Sequence, residues 1–370
     1  MFTKGTKKFV YTSLQKWIFR LDPEKAHHWT VKNLAHLQTS SLLLSSLHRY
    51  FAVEDPRLHV HCFQQSFPNP VGLAAGFDKH ANIYPALAAL GYGFVEVGTL
   101  TPRPQPGNPI PRLFRLPEEE AIINRMGFNN DGVEQATRHF EHLPRPNTPI
   151  GINLGKNKDT SNEDAAEDYC TGLRALYRFG DYFVINISSP NTAGLRDLHQ
   201  THALRQLLTR IMAERTELME GCGEKRPILL KLSPDIAEEL LPSVIETSLE
   251  LGIDGYIATN TTLDRSHITH PLRSEQGGLS GRPLAERSTK MIRAIAQQSE
   301  GRVPIIGVGG IFTGQDAYDK IRAGAHLVQV YTSMIYRGPT IARLINQELL
   351  TLIARDGLSS INEAIGADIR

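Results

Sequence analysis

From Val71 onward the chain alternates between short apolar runs and longer stretches in which apolar residues recur at helical spacing. The runs are Val71–Ala75, Gly93–Thr99, Pro149–Leu154, Tyr182–Ser188, Ile228–Ser233, Gly255–Thr261, Pro304–Gly310 and Leu327–Thr332. Between them, segments such as Ala203–Met219 and Ile236–Leu251 carry the period of amphipathic helices, the second opened by a Ser233-Pro234-Asp235 cap signal. Strands separated by helices must cross over to pair in parallel. The span is close to the roughly 250 residues of an eightfold β/α (TIM) barrel, so the expectation is a closed barrel rather than an open doubly wound sheet.

Most of these runs end in polar or glycine residues: Ala75-Gly76, Gly98-Thr99, Asn153, Asn186, Lys231, Thr259-Asn260, Gly309-Gly310 and Tyr331-Thr332. Barrel active sites are built where the strands end, so these residues are expected to converge on one pocket. One asparagine at a strand end is ordinary turn chemistry; polar endings on most of the strands are not explained that way.

Ahead of the barrel, Val10–Arg20 and Glu24–Gln38 read as two short helices, the second started by Asp22-Pro23-Glu24. Polar and apolar residues alternate over His59–Phe67, which suggests a hairpin flooring the barrel. The division expected is an N-terminal helical segment over 1–50 and a barrel domain over 51–370.

Composition narrows the function classes. Forty Lys and Arg against 39 Asp and Glu leave a net charge of +1, which disfavours nucleic acid as the main partner. Cys62, Cys170 and Cys222 are scattered and lack paired spacing, so neither a disulfide framework nor a metal site is expected. No apolar stretch has the length of a membrane span, and residues 1–20 lack the pattern of a signal peptide.

The seventh run ends in IIGVGGI (Ile305–Ile311), with Gly314 placed to begin the next helix, and the eighth ends in Val330-Tyr331-Thr332. Glycines there let backbone N–H groups approach a phosphate, although a tight strand-to-helix turn has the same signature. The motifs AAGFDK (Ala74–Lys79), NRMGFNN (Asn124–Asn130), NISSPNT (Asn186–Thr192), KLSPD (Lys231–Asp235), TNTT (Thr259–Thr262) and GGLSGRPL (Gly277–Leu284) follow in order. Together they resemble the dihydroorotate dehydrogenases, over the whole barrel.

The resemblance implies flavin mononucleotide as cofactor and oxidation of dihydroorotate to orotate in pyrimidine biosynthesis. Carried over by position, the flavin contacts are Ala75, Gly76, Thr99, Asn153, Asn186, Lys231, Thr259, Gly281, Gly310, Tyr331 and Thr332. The implied substrate contacts are Lys79, Asn124, Arg125, Met126, Gly127, Phe128, Asn191, Asn260 and Thr261, with Asn186 shared. Asparagines suit the amide-rich ring of orotate, and Lys79 its carboxylate.

The base that takes the substrate's proton is placed by the resemblance at Ser189, where the soluble class carries Cys. That difference points to the quinone-dependent, membrane-associated class. A serine hydroxyl is a poor base and needs a relay, for which Thr192 is the candidate, with Phe128 shielding the route.

An apolar stripe (Phe9, Val10, Leu14, Trp17, Ile18, Leu21) with basic neighbours (Lys4, Lys7, Lys8, Lys16, Arg20) suits a membrane surface, although packing on a neighbouring domain has the same pattern. By resemblance these helices form an apolar quinone tunnel lined by His27 and Arg115. A monomer attached peripherally to the cytoplasmic face of a bacterial inner membrane is expected, its flavin pocket assembling without the first fifty residues. The rivals are a cytosolic relative using fumarate or a nicotinamide acceptor, a flavin barrel acting on RNA, and a catalytically inert binding scaffold.

Overall fold

The structure, a computed structural model, describes Gln15 and residues 18–369. The expected helix Val10–Arg20 therefore lies mostly outside the described residues, as do Phe9, Val10, Leu14, Trp17 and the four lysines of its basic flank. The described chain opens with helix α1 (Pro23–Leu37), capped by Asp22, whose carboxylate accepts from the N–H groups of Glu24 and Lys25. Helix α2 (Ser41–Phe51), which the sequence reading did not foresee, follows behind the cap Ser40. Strands β1 (Val60–Cys62) and β2 (Gln65–Phe67) then form the expected antiparallel hairpin.

The barrel starts with β3 (Val71–Leu73), α3 (Tyr84–Ala88) and β4 (Phe94–Leu100), after which β5 (Leu113–Leu116) and β6 (Ala121–Asn124) leave the barrel wall. It continues through α4 (Gly132–His142), β7 (Ile150–Leu154), α5 (Ala165–Leu176), β8 (Tyr182–Asn186), α6 (Thr201–Cys222), β9 (Ile228–Leu232), α7 (Leu241–Glu250) and β10 (Gly255–Ala258). After β11 (Gly278–Gly281) come α8 (Ala285–Gln298), β12 (Ile305–Val308), α9 (Gly314–Arg322), β13 (Leu327–Val330), α10 (Thr332–Arg337) and α11 (Ile341–Arg355). The closed sheet runs β3-β4-β7-β8-β9-β10-β12-β13 and returns to β3, every neighbouring pair parallel. All eight expected strands are present, and the fold is a TIM barrel with a helical N-terminal extension.

Because helices cover its outside and side chains fill its inside, the wall strands are buried along their length; β4, β7, β8 and β9 have no exposed residue. Small and large residues interlock in the interior. A Cβ on Gly72 would meet the Phe94 ring at 2.4 Å, and one on Gly151 the Tyr182 ring at 2.1 Å. The hairpin closes this lower end, with Phe67 edge-on to Phe94 at 5.4 Å and Phe63 stacked over Tyr182 at 6.3 Å.

Two features depart from the sequence reading. Strands β5, β6 and β11 form a separate antiparallel sheet, pairing Asn124 with Gly278 and Ala121 with Gly281. Helix α7 begins at Leu241, not Ile236, with Pro242 in its first turn. Asp235 is engaged elsewhere: its carboxylate accepts from Thr262 Oγ1, Leu263 N and Arg196, so it ties loops together instead of capping the helix.

Candidate active site

The polar strand ends converge. At the carboxyl end of the barrel they surround an open cavity with an empty volume of about 1090 Å³, roofed on one side by Asn124, Ser280 and Gly281 of the small sheet. Every expected flavin contact except Asn153 lines it, and so does every expected substrate contact except Arg125. Ser189 is on its wall; Thr192, His27 and Arg115 are not.

Its floor is a continuous hydrogen-bond network. Asn153, fully buried on β7, accepts from Thr99 Oγ1 at 2.6 Å and from Asn186 Nδ2 at 3.1 Å, and donates to Glu96 Oε1 at 2.8 Å. Glu96 also accepts from Gln329 Nε2 at 2.7 Å and lies 3.5 Å from Lys231 Nζ. Lys231 thus lines the cavity and is also one half of a buried ion pair. Networks of this kind fix side-chain orientation, because rotating a member would break several buried hydrogen bonds at once.

Two observations test the site against a flavin. Ser333 Oγ is buried on the cavity wall without a hydrogen-bond partner among the described residues, and such an atom is costly unless a ligand or water satisfies it. Gly281, Gly309 and Gly310 all have positive φ there, and a Cβ on Gly310 would overlap Ala285 at 2.4 Å. Beside Thr332, whose hydroxyl donates to Ser280 Oγ at 2.9 Å, these residues make a backbone-lined cradle suited to a phosphate. The residues present fit the group.

On the opposite side, Asn260 Nδ2 donates to Ser188 Oγ at 2.9 Å, and Ser188 Oγ donates to Asn186 Oδ1 at the same distance. Ser189 Oγ accepts from Asn191 N at 3.2 Å, and Asn191 Nδ2 donates to Asn124 Oδ1 at 3.3 Å. Arg196 fastens this loop to its neighbours, donating to the carbonyls of Ser188 and Thr261 and pairing with Asp235 at 3.0 Å. Thr192 is buried, and no hydrogen bond joins its hydroxyl to Ser189. Phe128 lines the cavity and packs near Gly155, where a Cβ would meet its ring at 3.0 Å.

Arg125 points elsewhere: its guanidinium pairs with Glu275 at 2.7 Å and lies over the Phe114 ring. Arg115 donates to the carbonyls of Ile18 and Leu21 and lies 4.7 Å above the Phe19 ring, which fastens the N-terminal segment to the small sheet. His27 stands edge-on to Phe77 at 5.2 Å, and Phe77 is 6.3 Å from Tyr331 on the cavity wall. Lys79 lines the cavity with its amine 3.2 Å from His27 Nε2; burial lowers its pKa to about 8, Glu24 and Asp78 opposing the shift and Arg112 adding to it.

Sequence reasoning passed over Glu96, Gln329, Glu24 and Arg112. The first two stand in the middle of apolar runs, as Val95-Glu96-Val97 and Val328-Gln329-Val330. A charged or amide residue enclosed by strand apolars was the available signal.

A family model described as dihydroorotate dehydrogenase matches residues 57–353. A Roseiflexus sp. (strain RS-1) protein named dihydroorotate dehydrogenase (quinone) is 48% identical over 357 residues, covering 96% of this chain and 98% of the relative. A Halobacterium salinarum protein of the same name is 45% identical over 361 residues, covering 97% and 100%. Among solved structures, the ligand-free DHODH of Eimeria tenella superposes with a TM-score of 0.86 at 43% identity, covering 94% of this chain and all of that one. The same enzyme in complex with ferulenol gives a TM-score of 0.84 at 40% identity, covering 94% and 96%.

Proposed function

The chain belongs to the dihydroorotate dehydrogenase family, and we propose that it oxidises dihydroorotate to orotate for pyrimidine biosynthesis, with a quinone as final electron acceptor. The observation that carries this reading is the meeting, on one cavity, of a buried lysine without a carboxylate partner among the described residues, a ring of asparagines and Ser189. The cofactor is flavin mononucleotide, held at its phosphate by the cradle of Gly281, Gly309, Gly310 and Thr332. When bound, the flavin accepts the substrate's hydride and passes the electrons on to the quinone.

Lys79 takes the substrate carboxylate, while Asn124, Asn186, Asn191 and Asn260 exchange hydrogen bonds with the ring amides. Ser189 accepts the proton from the carbon next to the ring carbonyl. The neighbouring carbon loses a hydride, so a carbon–carbon double bond forms and charge balances once Ser189 passes its proton on. Thr192, buried on the same loop three residues on, is the candidate for that relay. Lys231, fixed by Glu96, places positive charge beside the flavin ring.

The N-terminal segment over 1–50 brings quinone from the bilayer, with His27 and Arg115 on its approach. Support comes from the aromatic path His27, Phe77, Tyr331, and from Trp29, Leu42 and Leu43 exposed on α1 and α2. Among the described residues no helix is long and apolar enough to cross a membrane, and the attachment proposed is peripheral, as a monomer on the cytoplasmic face of a bacterial inner membrane. The test is direct. The purified protein should be yellow, release flavin mononucleotide on heating, and oxidise dihydroorotate with quinone far faster than with fumarate or NAD. Release of flavin adenine dinucleotide, or absence of dihydroorotate turnover in flavin-loaded protein, would sink the reading.

A further inference from the structure

Lys79 is a buried cation with an unusual set of neighbours. Its ammonium has no carboxylate within ion-pair distance among the described residues, and its one hydrogen-bond partner is His27 Nε2 at 3.2 Å. The acids facing it are already committed. Asp78 accepts from the N–H groups of Asn82 and Ile83, both at 2.9 Å, and Glu24 is held by Arg112 at 2.7 Å. An ammonium only donates, so the Nε2 facing it must carry a lone pair and the ring proton must sit on Nδ1. Burial first, and the Lys79 charge second, hold His27 in that neutral state.

We infer that His27 is a positioning residue for Lys79, which makes helix α1 part of the dihydroorotate site as well as of the quinone approach. The inference rests on the functional reading given above, with Lys79 as the carboxylate contact. A neutral acceptor suits the role better than an acid. It fixes one of the three ammonium protons and leaves two donors, with the positive charge uncompensated, for the incoming carboxylate; an aspartate in its place would compete with the substrate.

The helix is seated firmly enough to do this. Arg112 grips Glu24 through Nε and Nη2 at 2.7 to 3.2 Å, both side chains being buried. Its Nη1 donates to the carbonyls of Pro106 and Asn108, and Asn108 Nδ2 donates in turn to the carbonyl of Asn191, two residues past Ser189. One helix therefore steadies both the lysine and the loop across the cavity from it. The same contact bears on the expectation that the flavin pocket assembles without the first fifty residues, since a lysine on the cavity wall leans on one of them.

The experiment titrates orotate into the full-length, flavin-loaded protein and follows flavin reduction by dihydroorotate in His27→Leu, His27→Gln and His27→Asn. Loss of a hydrogen bond to a charged group corresponds to roughly tenfold or more in affinity. His27→Leu should raise the orotate Kd and the dihydroorotate KM by about that factor, with the reduction rate at saturating substrate within about threefold of the parent. His27→Gln, whose amide oxygen reaches the place of Nε2, should recover most of the loss, and His27→Asn should not. Unchanged orotate binding in His27→Leu overturns the inference even if quinone kinetics change, since that pattern belongs to a residue of the quinone approach alone. Equal losses in the Leu and Gln variants overturn it too, because they mark a space-filling wall. If the parent protein itself neither binds orotate nor oxidises dihydroorotate, the functional reading fails first.

Discussion

Around the barrel mouth, polar side chains face inward and hold one another; on the helices in front of the barrel, one set of apolar side chains packs on the core and another faces outward. Asn153, Asn186, Thr99, Glu96, Lys231 and Gln329 form one connected network, all of them less than a tenth exposed. Leu42, Leu43 and Trp29 on α1 and α2 are 79%, 51% and 43% exposed. The barrel mouth holds its polar atoms in fixed places, whereas the helices leave part of their apolar surface to solvent. Between the two lies the Glu24–Arg112 pair with its neighbours His27 and Lys79, the seam through which one region acts on the other.

The largest expected effect lies inside the mouth. Proton removal by a positioned base commonly contributes ~10²–10⁴ in rate, so Ser189→Ala should slow flavin reduction by dihydroorotate at least about a hundredfold, with flavin content unchanged. Stopped-flow reduction at saturating substrate measures it, and a rate near that of the parent removes Ser189 from the role. Thr192→Val should slow the same step by a smaller factor, on the order of tenfold; no change would exclude Thr192 from the relay.

At the seam the expected effect is on stability. Breaking a buried ion pair by removing one partner leaves an uncompensated charge and costs about 3–5 kcal/mol. Glu24→Met alone should therefore unseat α1, seen as lost hydrogen-exchange protection over residues 23–37 while the barrel strands stay protected. Replacing both partners, Glu24→Met with Arg112→Met, should restore part of the protection, because the apolar pair leaves no unpaired charge while the carbonyls of Pro106 and Asn108 lose their Arg112 donor. Equal protection in the single variant and the parent would mean that the pair is not what seats the helix.

How far the sequence revealed each region follows from the same contrast. The barrel strands were legible because wall strands covered on both faces are apolar at most positions, as Ile228–Leu232 and Tyr182–Asn186 are but for Lys231 and Asn186. The small sheet was not, because β5 and β6 are only four residues each and gain their partner β11 from about 150 positions later. Helix α2 escaped although Leu44, Leu47 and Phe51 recur at helical spacing, because Leu42 and Leu43 face outward and blur the stripe. Most residues lining the cavity were legible as motif positions. Their mutual contacts were not: Lys79 and His27 lie 52 positions apart on different elements, and nothing in either segment announces the other.

A smaller effect should appear in the pH dependence of substrate binding. Lys79 titrates near 8, so its ammonium is present below that pH and lost above it. Orotate affinity should be flat between about pH 6 and 7 and fall about tenfold per unit once pH passes 8, as one proton becomes linked to binding. The sign for folding is opposite. The unfolded chain, with an ordinary lysine pKa of about 10.4, holds more protons between about 8 and that value, so this group adds stability as pH rises through the window. Isothermal titration at several pH values checks the first trend. Affinity independent of pH up to 9 would remove the ammonium from the carboxylate's binding site.

The smallest effect expected is at the outward leucines, and it bears on the other half of the comparison. Single exposed apolar residues are ordinary on any protein surface, so Leu42 and Leu43 carry meaning only if something covers them. Fully burying a leucine contributes about 1.5–3 kcal/mol. A headgroup layer removes only part of the side chain from water, which leaves on the order of 1 kcal/mol for each. The double variant Leu42→Ser, Leu43→Ser should then weaken liposome binding by roughly ten- to thirtyfold, since 1.4 kcal/mol corresponds to a factor of ten. Neither residue lines the cavity, so flavin reduction by dihydroorotate and turnover with a short-chain soluble quinone should stay at parental rates. Turnover with a long-chain quinone in vesicles should fall together with binding. If vesicle binding and long-chain turnover both persist undiminished, the outward face of α2 is not the surface that meets the bilayer. The membrane contact would then have to come from elsewhere, and α1 and α2 would serve the barrel chiefly through His27 and Glu24.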